Sequence, residues 1–371
     1  MRGNDVVGLI FANMHDEQIH ELTGIRTMAS VPFGGRYRFI DFSLSSMVNS
    51  GITKVGVITK SNYQSLMDHL GSGKAWDLSR KRDGLIILPP FGQGNALYHD
   101  RVEALKGIFD FLYHCNENHV LMADCDIIAN IDYSPIIRKH VEENNDVTIA
   151  YKYDKLPKKR KDNMVLSLDS TGKITNIDID PPIEGSCNFG LNIYVVKKQY
   201  LIRIIENAIT RSRMSFLRDC IQANLNSGKF MAYPIDTYVG VIQSLESYFK
   251  ITMDLLNQEV REQLFPIGRP VYTKVRDDMP AVYGLNSHVT NSLIADGCII
   301  DGEVENSVLF RGVKVGKGAK VSNSIIIQGS DIGDNCNLNY VITDKNVVIK
   351  EARTLMGYDT YPVFISKNSV V

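Results

Sequence analysis

Roughly the first 250 residues alternate short aliphatic, β-branched runs with stretches in which apolar residues recur at helical spacing. The pattern predicts strands at 6–11, 55–59, 84–88 and 119–123, and helices at 38–49, 61–70 and 96–113. Strands alternating with helices give a mostly parallel sheet covered on both faces. Ligands in such sheets bind beyond the carboxyl ends of the strands. Chemistry is therefore expected in the segments that follow Phe11, Thr59, Leu88 and Ala123.

From about Ser287 the helical period disappears and aliphatic residues recur every six positions. Ile294 and Ile300 form one pair, Leu309, Val315, Val321 and Ile327 a longer series, and Ile332 with Leu338 and Ile342 with Val348 complete it. A hexad repeat supplies one side of a triangular coil with its aliphatic residue inward, which predicts a short parallel β-helix. The stretch between, after a last helix at 244–261, holds Pro266, Pro270 and Pro280 and no clear period. The expected organisation is an α/β domain over 1–250, a connection over 251–286 and a hexapeptide-repeat domain over 287–371.

Composition narrows the function classes. A chain of 371 residues suffices for two cores, and 44% hydrophobic with 22% charged residues is ordinary globular usage. A formal net charge of -1 gives no affinity for a polyanion, so nucleic acid is not an expected partner. No stretch has the length and apolarity of a membrane span, and the N-terminal run lacks the pattern of a signal peptide. The six cysteines are scattered without a CxxC pair and read as reduced thiols, so a cytoplasmic protein is expected.

The most specific run is Val31-Pro32-Phe33-Gly34-Gly35-Arg36-Tyr37-Arg38-Phe39-Ile40-Asp41-Phe42, continuing as SLSSMVNSGI. With His69 and Gly73, Gly92, Ala96 and Tyr98, Asp126 and Asp132-Tyr133, Ile193-Tyr194-Val195 and Leu245-Glu246-Ser247-Tyr248 in order, it closely resembles the bacterial glucose-1-phosphate adenylyltransferase (ADP-glucose pyrophosphorylase) family along essentially the whole chain. The likeness is greatest to that family's GlgD-type regulatory branch. It implies a Rossmann-like nucleotidyltransferase (glycosyltransferase A-like) domain followed by a left-handed parallel β-helix. The family's reaction joins ATP and glucose 1-phosphate to ADP-glucose and diphosphate with Mg²⁺.

Such a reaction needs a glycine-rich loop whose N–H groups wrap the triphosphate, a basic residue for the charge moving to pyrophosphate, two carboxylates for Mg²⁺, and contacts for the sugar phosphate. Where the family reads G-G-x-G-T-R-L this chain reads Asn13-Met14-His15-Asp16-Glu17-Gln18-Ile19, without a glycine and with Gln18 for the arginine. Asp16 and Glu17 stand where phosphates would lie, and two like unit charges ~4 Å apart near a surface repel by up to about 4 kcal/mol. The family's R-A-K-P becomes Arg26-Thr27-Met28-Ala29, leaving Arg26, Arg36 and Arg38 as the local basic cluster, suited to a substrate or effector phosphate or to structural ion pairs. The adenine-contacting glutamine becomes Lys60, and the Tyr-Arg pair of the next loop is lost, leaving Gln93 and Asn95 as candidate ligand contacts. Asp126 aligns with the first metal ligand, whereas the second aligns with Val241, which has no oxygen to offer; Asp236 is the nearest alternative. The sugar-phosphate lysine aligns with Asp180.

The expectation is a subunit with no catalytic or metal set intact, Asp126 being a remnant, and with no productive use of Mg²⁺ or ATP. Its expected partner is a catalytic subunit, in a heterotetramer, with a phosphorylated effector and neither membrane nor nucleic acid. Three alternatives stand beside it: an active nucleotidyltransferase with a rewired site, a hexapeptide acyltransferase relying on His288, and a free-standing sugar-phosphate sensor.

Overall fold

The strand Val6–Phe11 is buried along its whole length, with Val6 and Ile10 in one apolar core and Val7, Leu9 and Phe11 in another. That two-sided burial makes it a central strand, as its unbroken aliphatic run requires. A computed structural model of the protein describes residues 5–81, 83–90, 98 and 100–371. In it Val6–Phe11 pairs in parallel with Lys54–Ile58 on one side and His119–Asp124 on the other, and Gly84–Leu88 extends the sheet in parallel. Ser186–Lys197 joins antiparallel to His119–Asp124 and carries Val147–Lys155, which pairs in parallel with Phe230–Pro234. Met164–Leu168 and Ile174–Ile179 complete a nine-stranded sheet. Phe11 lies level with both Ile58 and Asp124, so three strands end together and their loops share one crevice.

The expected helix at 96–113 is, over its described part, two short helices, Arg101–Lys106 and Phe109–His114, broken at Gly107. The final helix is likewise divided into Leu245–Met253 and Gln258–Leu264 by a 3₁₀ turn. The motif around Gly34 and Gly35 is a tight hairpin between Pro32–Phe33 and Tyr37–Arg38. Both glycines take positive φ, 56° and 83°, and a Cβ on Gly34 would stand 2.9 Å from Leu255. Among the described residues no helix is long and apolar enough to cross a membrane.

The C-terminal part is a β-helix of the left-handed hexapeptide type, built from three five-stranded parallel sheets. Ile300, Val315, Ile332 and Ile349 stack in register along one of them. Coils fall slightly short of three full hexads, and this moves three expected inward positions, Ile327, Ile342 and Val348. Val348 is 41% exposed while Ile349 is buried, and Ile326 rather than Ile327 continues the interior ladder. Alternation along a strand turns Ile325 and Ile327 the other way, into a core shared with the α/β part. Val308, Phe310 and Ile342 join them there, beside Phe33, Phe39, Tyr248 and Leu255. The coil is thus packed onto the sheet domain through apolar side chains.

Candidate functional site

The loop after Phe11 turns its polar groups inward on itself. Asn13 Nδ2 donates to Asp16 at 2.6 Å, and Asp16 accepts the backbone N–H of Met28 at 2.7 Å. The Asn13 side-chain carbonyl oxygen takes the N–H of Lys60 at 2.9 Å. Met28 itself is buried in the core. A phosphate-wrapping loop presents glycine N–H groups to a ligand; here the loop presents side chains instead, and Asn13 and Asp16 anchor it to the N–H groups of Lys60 and Met28 on neighbouring segments. Asp16 lines a cleft of ≈ 310 Å³ with His15, Glu17, Gln18, Lys60, Tyr98 and others. Lys60 reaches over the Tyr98 ring, 5.6 Å from its centroid, and Gln18 sits 3.2 Å from the His15 ring nitrogen.

Burial pushes the Asp16 carboxyl up to about 6, against the hydrogen bonds from Asn13 and Met28 and the charges of Lys60 and His15. The folded chain therefore holds this proton more tightly than the unfolded chain, where the ordinary value is 3.8. The stability it confers is present below that value and is lost as pH rises through about 6. Asp16→Asn is expected to gain stability over the wild type by on the order of 1 kcal/mol between pH 4.5 and 7.5. Denaturant melts at the two pH values check this, and a gap that stays constant refutes it.

Opposite this loop, the ends of His119–Asp124 and the following turn place Asp124 and Asp126 side by side, both fully buried. His15 Nε2 lies 2.8 Å from Asp124 and 3.6 Å from Asp126. Buried Arg101, at the start of Arg101–Lys106, forms a very close ion pair with Asp124, and buried Arg160 approaches Asp126 at 2.8 Å. Burial alone would raise the Asp124 carboxyl, but Arg101, His15 and Arg160 together hold it down at about 2. Burial would also discharge Arg101, and Asp124 reverses that, holding the guanidinium above its ordinary value. The Arg160–Asp126 approach is a charge contact without hydrogen-bond alignment, since both Asp126 oxygens and Arg160 Nη2 lack an aligned partner.

Gly240–Val241 pairs with Ile127–Ile128, and Ile242 donates its N–H to the Asp126 carbonyl at 2.8 Å. Val241 therefore stands beside Asp126, where a second carboxylate would belong, while Asp236 is exposed and its carbonyl receives Lys152. Donor atoms of His15, Asp124 and Asp126 do lie within 4.8 Å of one another, spacing that admits an ion. The charge does not fit Mg²⁺: two carboxylates already face two buried guanidinium groups, and the third donor is an imidazole rather than the oxygen this ion prefers. Gln93 and Asn95 lie outside the described residues. Asp180 is exposed and accepts the Asn163 N–H at 2.7 Å.

The three arginines of the sequence reading do not act together. Arg26 is buried and paired with Asp344 of the β-helix at 2.8 Å. Arg38 donates to the Ser65 hydroxyl at 3.0 Å, and its side chain makes no ion pair with Asp41, which instead takes the Arg38 backbone N–H and His69. Arg36 and Arg38 do line a second cleft, of ≈ 200 Å³, where the hairpin meets the coil. Its other basic residues, Lys274, Arg276, Arg311 and Lys345, come from the connection and the β-helix. These six basic residues outnumber the one lining carboxylate, Asp68, although Asp278 lies 3.8 Å from Arg276 and 3.7 Å from Arg311. Burial pushes Arg38 down to about 10 and lowers Arg311, with neighbouring arginines adding to both. Sequence reasoning missed four of these six cations because they lie far apart along the chain. It also missed Arg101 and Arg160, which belong to no motif.

Comparison with known proteins finds relatives for both parts of the chain. The nucleotidyl transferase family matches residues 8–258, and the GlmU-like C-terminal hexapeptide family residues 279–362. The chain is 32% identical to the glycogen biosynthesis protein GlgD of Bacillus subtilis, over 100% of this chain and 98% of that one. It is 38% identical to the GlgD protein of Geobacillus stearothermophilus over 86% and 83% of the two chains. It is 31% identical to the glucose-1-phosphate adenylyltransferase of Bacillus cytotoxicus over 96% of each. His288, on which an acyltransferase reading would rely, is exposed on the first coil.

Proposed function

The chain belongs to the bacterial glucose-1-phosphate adenylyltransferase family, and from that premise we propose that it is a non-catalytic, regulatory-type subunit acting in glycogen biosynthesis. The observation that carries this reading is the loop after the first strand, which has no glycine and sets the Asp16 carboxylate, anchored on the Met28 N–H, in the cleft where a triphosphate would lie. Val241 beside Asp126 supports it, since valine offers no oxygen at the position the resemblance gives to the second metal ligand. A chain without chemistry of its own changes flux by binding a subunit that has it. The first coil suits such a role: Val282, Tyr283 and Ile299 are exposed on a sheet whose outer strand has a free edge.

The basic cleft supplies the regulatory half of the proposal, as a site for a phosphorylated effector. Its Lys345 amine is pushed down to about 7 by burial, with Arg38 and Arg26 adding to the fall. A bound anion needs that amine charged, so binding takes up a proton and weakens as pH rises through 7. His69, lowered by burial from 6.5, stays neutral over the upper part of that range. Sulfate, fully ionised throughout, is expected to bind about tenfold more weakly at pH 8.5 than at pH 6.5. Lys345→Met should weaken binding at the lower pH and flatten the profile. Calorimetric titration at both pH values decides it, and a pH-independent affinity in the wild type excludes this cleft as the site.

Co-expression with the catalytic homologue, followed by sizing with light scattering, tests the assembly. A mixed oligomer, expected to be a heterotetramer, should elute as one species and show an altered rate or effector response. Two proteins that stay separate at micromolar concentration, with activity unchanged on mixing, overturn the subunit reading. Because one chain builds the whole cleft, the free-standing sugar-phosphate sensor then takes its place.

A further inference from the structure

Residues 157–163 form a strap between the strands Val147–Lys155 and Met164–Leu168. It is tied down on three sides. Lys161 pairs with Glu17 of the first-strand loop at 2.9 Å. Lys159 donates its N–H to Gln243 at 2.7 Å and its amine to Glu246 at 2.8 Å, both in the segment that follows Val241. Asn163 takes hold of Asp180 through its N–H, and its side chain donates to the carbonyls of Pro157 and Arg160, at 2.6 and 2.9 Å, closing the strap on itself. From its middle Arg160 points inward, fully buried, with Nη1 on the Gly190 carbonyl at 3.2 Å and Nη2 at Asp126.

We propose that Arg160 is a built-in cation: the strap delivers a guanidinium to Asp126 and thereby closes the buried carboxylate pair to any divalent ion. A buried carboxylate costs several kcal/mol to desolvate unless an opposite charge lies beside it. Asp126 has that charge from Arg160, as Asp124 has it from Arg101, so two guanidinium groups balance the two carboxylates. A divalent ion among His15, Asp124 and Asp126 would add two charges within contact distance of two guanidinium groups that have no solvent to screen them. The strap must lift for the ion to enter, and lifting it breaks the ties to Glu17, Glu246 and Asp180 together. The consequence is a site sealed by its own chain, whether or not the protein regulates a partner.

Manganese serves as the probe, and the full-length protein is used throughout. Electron paramagnetic resonance of free Mn²⁺ is expected to show no uptake by the wild type at ion concentrations up to about 1 mM. Asp126→Asn and Arg160→Met should each lower the melting temperature by on the order of 5–10 °C, since each strands one buried charge. The double variant should lose less than half the sum of the two, because it strands neither. Stoichiometric Mn²⁺ uptake by the wild type that Asp126→Asn abolishes overturns the proposal, as do additive losses in the double variant. Uptake without any sugar-nucleotide synthesis would overturn the sealed site alone and leave the non-catalytic reading standing.

Discussion

Removing residues 287–371 is expected to leave the α/β part insoluble rather than as a folded, partner-free domain. Val308, Phe310, Ile325, Ile327 and Ile342 are at most 2% exposed, and all five sit in the core they share with Phe33, Phe39 and Tyr248. Burying such side chains contributes roughly 1.5–3 kcal/mol each, so their loss removes on the order of 10 kcal/mol. That is comparable with the whole stability of an ordinary domain. Truncation also strips Arg26 of Asp344, leaving a buried guanidinium without its counter-charge. Expression with measurement of the soluble fraction and a melting curve checks the outcome. A soluble, cooperatively melting fragment would show that the interface is ornamental to the sheet domain's stability.

The purified full-length chain is expected to form ADP-glucose at least about a thousandfold more slowly than a catalytic homologue. Losing one preorganised group that stabilises transition-state charge costs roughly 10²–10³ in rate. Here the phosphate loop, the metal carboxylate and the sugar-phosphate position have all changed, to Asp16 and Glu17, Val241 and Asp180. Val241→Asp alone should restore nothing measurable, because Arg160 still occupies the neighbourhood of Asp126 and Asp16 still fills the loop. Diphosphate release from ATP and glucose 1-phosphate, with Mg²⁺ and contaminant-free protein, is the measurement. Robust turnover that Asp126→Asn abolishes would make the chain an enzyme with a rewired site.

Asp126 shows how sequence and tertiary structure differ in what they reveal. The sequence puts it at the end of a strand and identifies its missing partner, Val241, and the fold sets the two on paired segments. The expectation of an idle remnant follows from counting metal ligands along a motif. Such a count does not foresee that a buried carboxylate has to be neutralised by something, and that Arg160 arrives from a strap with no motif of its own. Arg26 is the converse: grouped by sequence with Arg36 and Arg38 as one basic cluster, it is instead withdrawn into a buried pair with Asp344.

Local signals determined a great deal. Runs of β-branched residues, helical periods and the six-residue ladder depend on backbone sterics and side-chain alternation, which act between near neighbours along the chain. They suffice to place the sheet and the coil, while the altered loop after Phe11 came from the family resemblance. Only the tertiary structure decided which charges meet. Arg101 with Asp124, Arg160 with Asp126, and Lys345 with Arg36 and Arg38 join residues from separate elements. Even the choice between Ile326 and Ile327 as the inward residue was tertiary, because coils shorter than three hexads are set by strand pairing between turns. Burial and Coulomb energy depend on distance through space, and a linear pattern carries that distance only where the fold repeats.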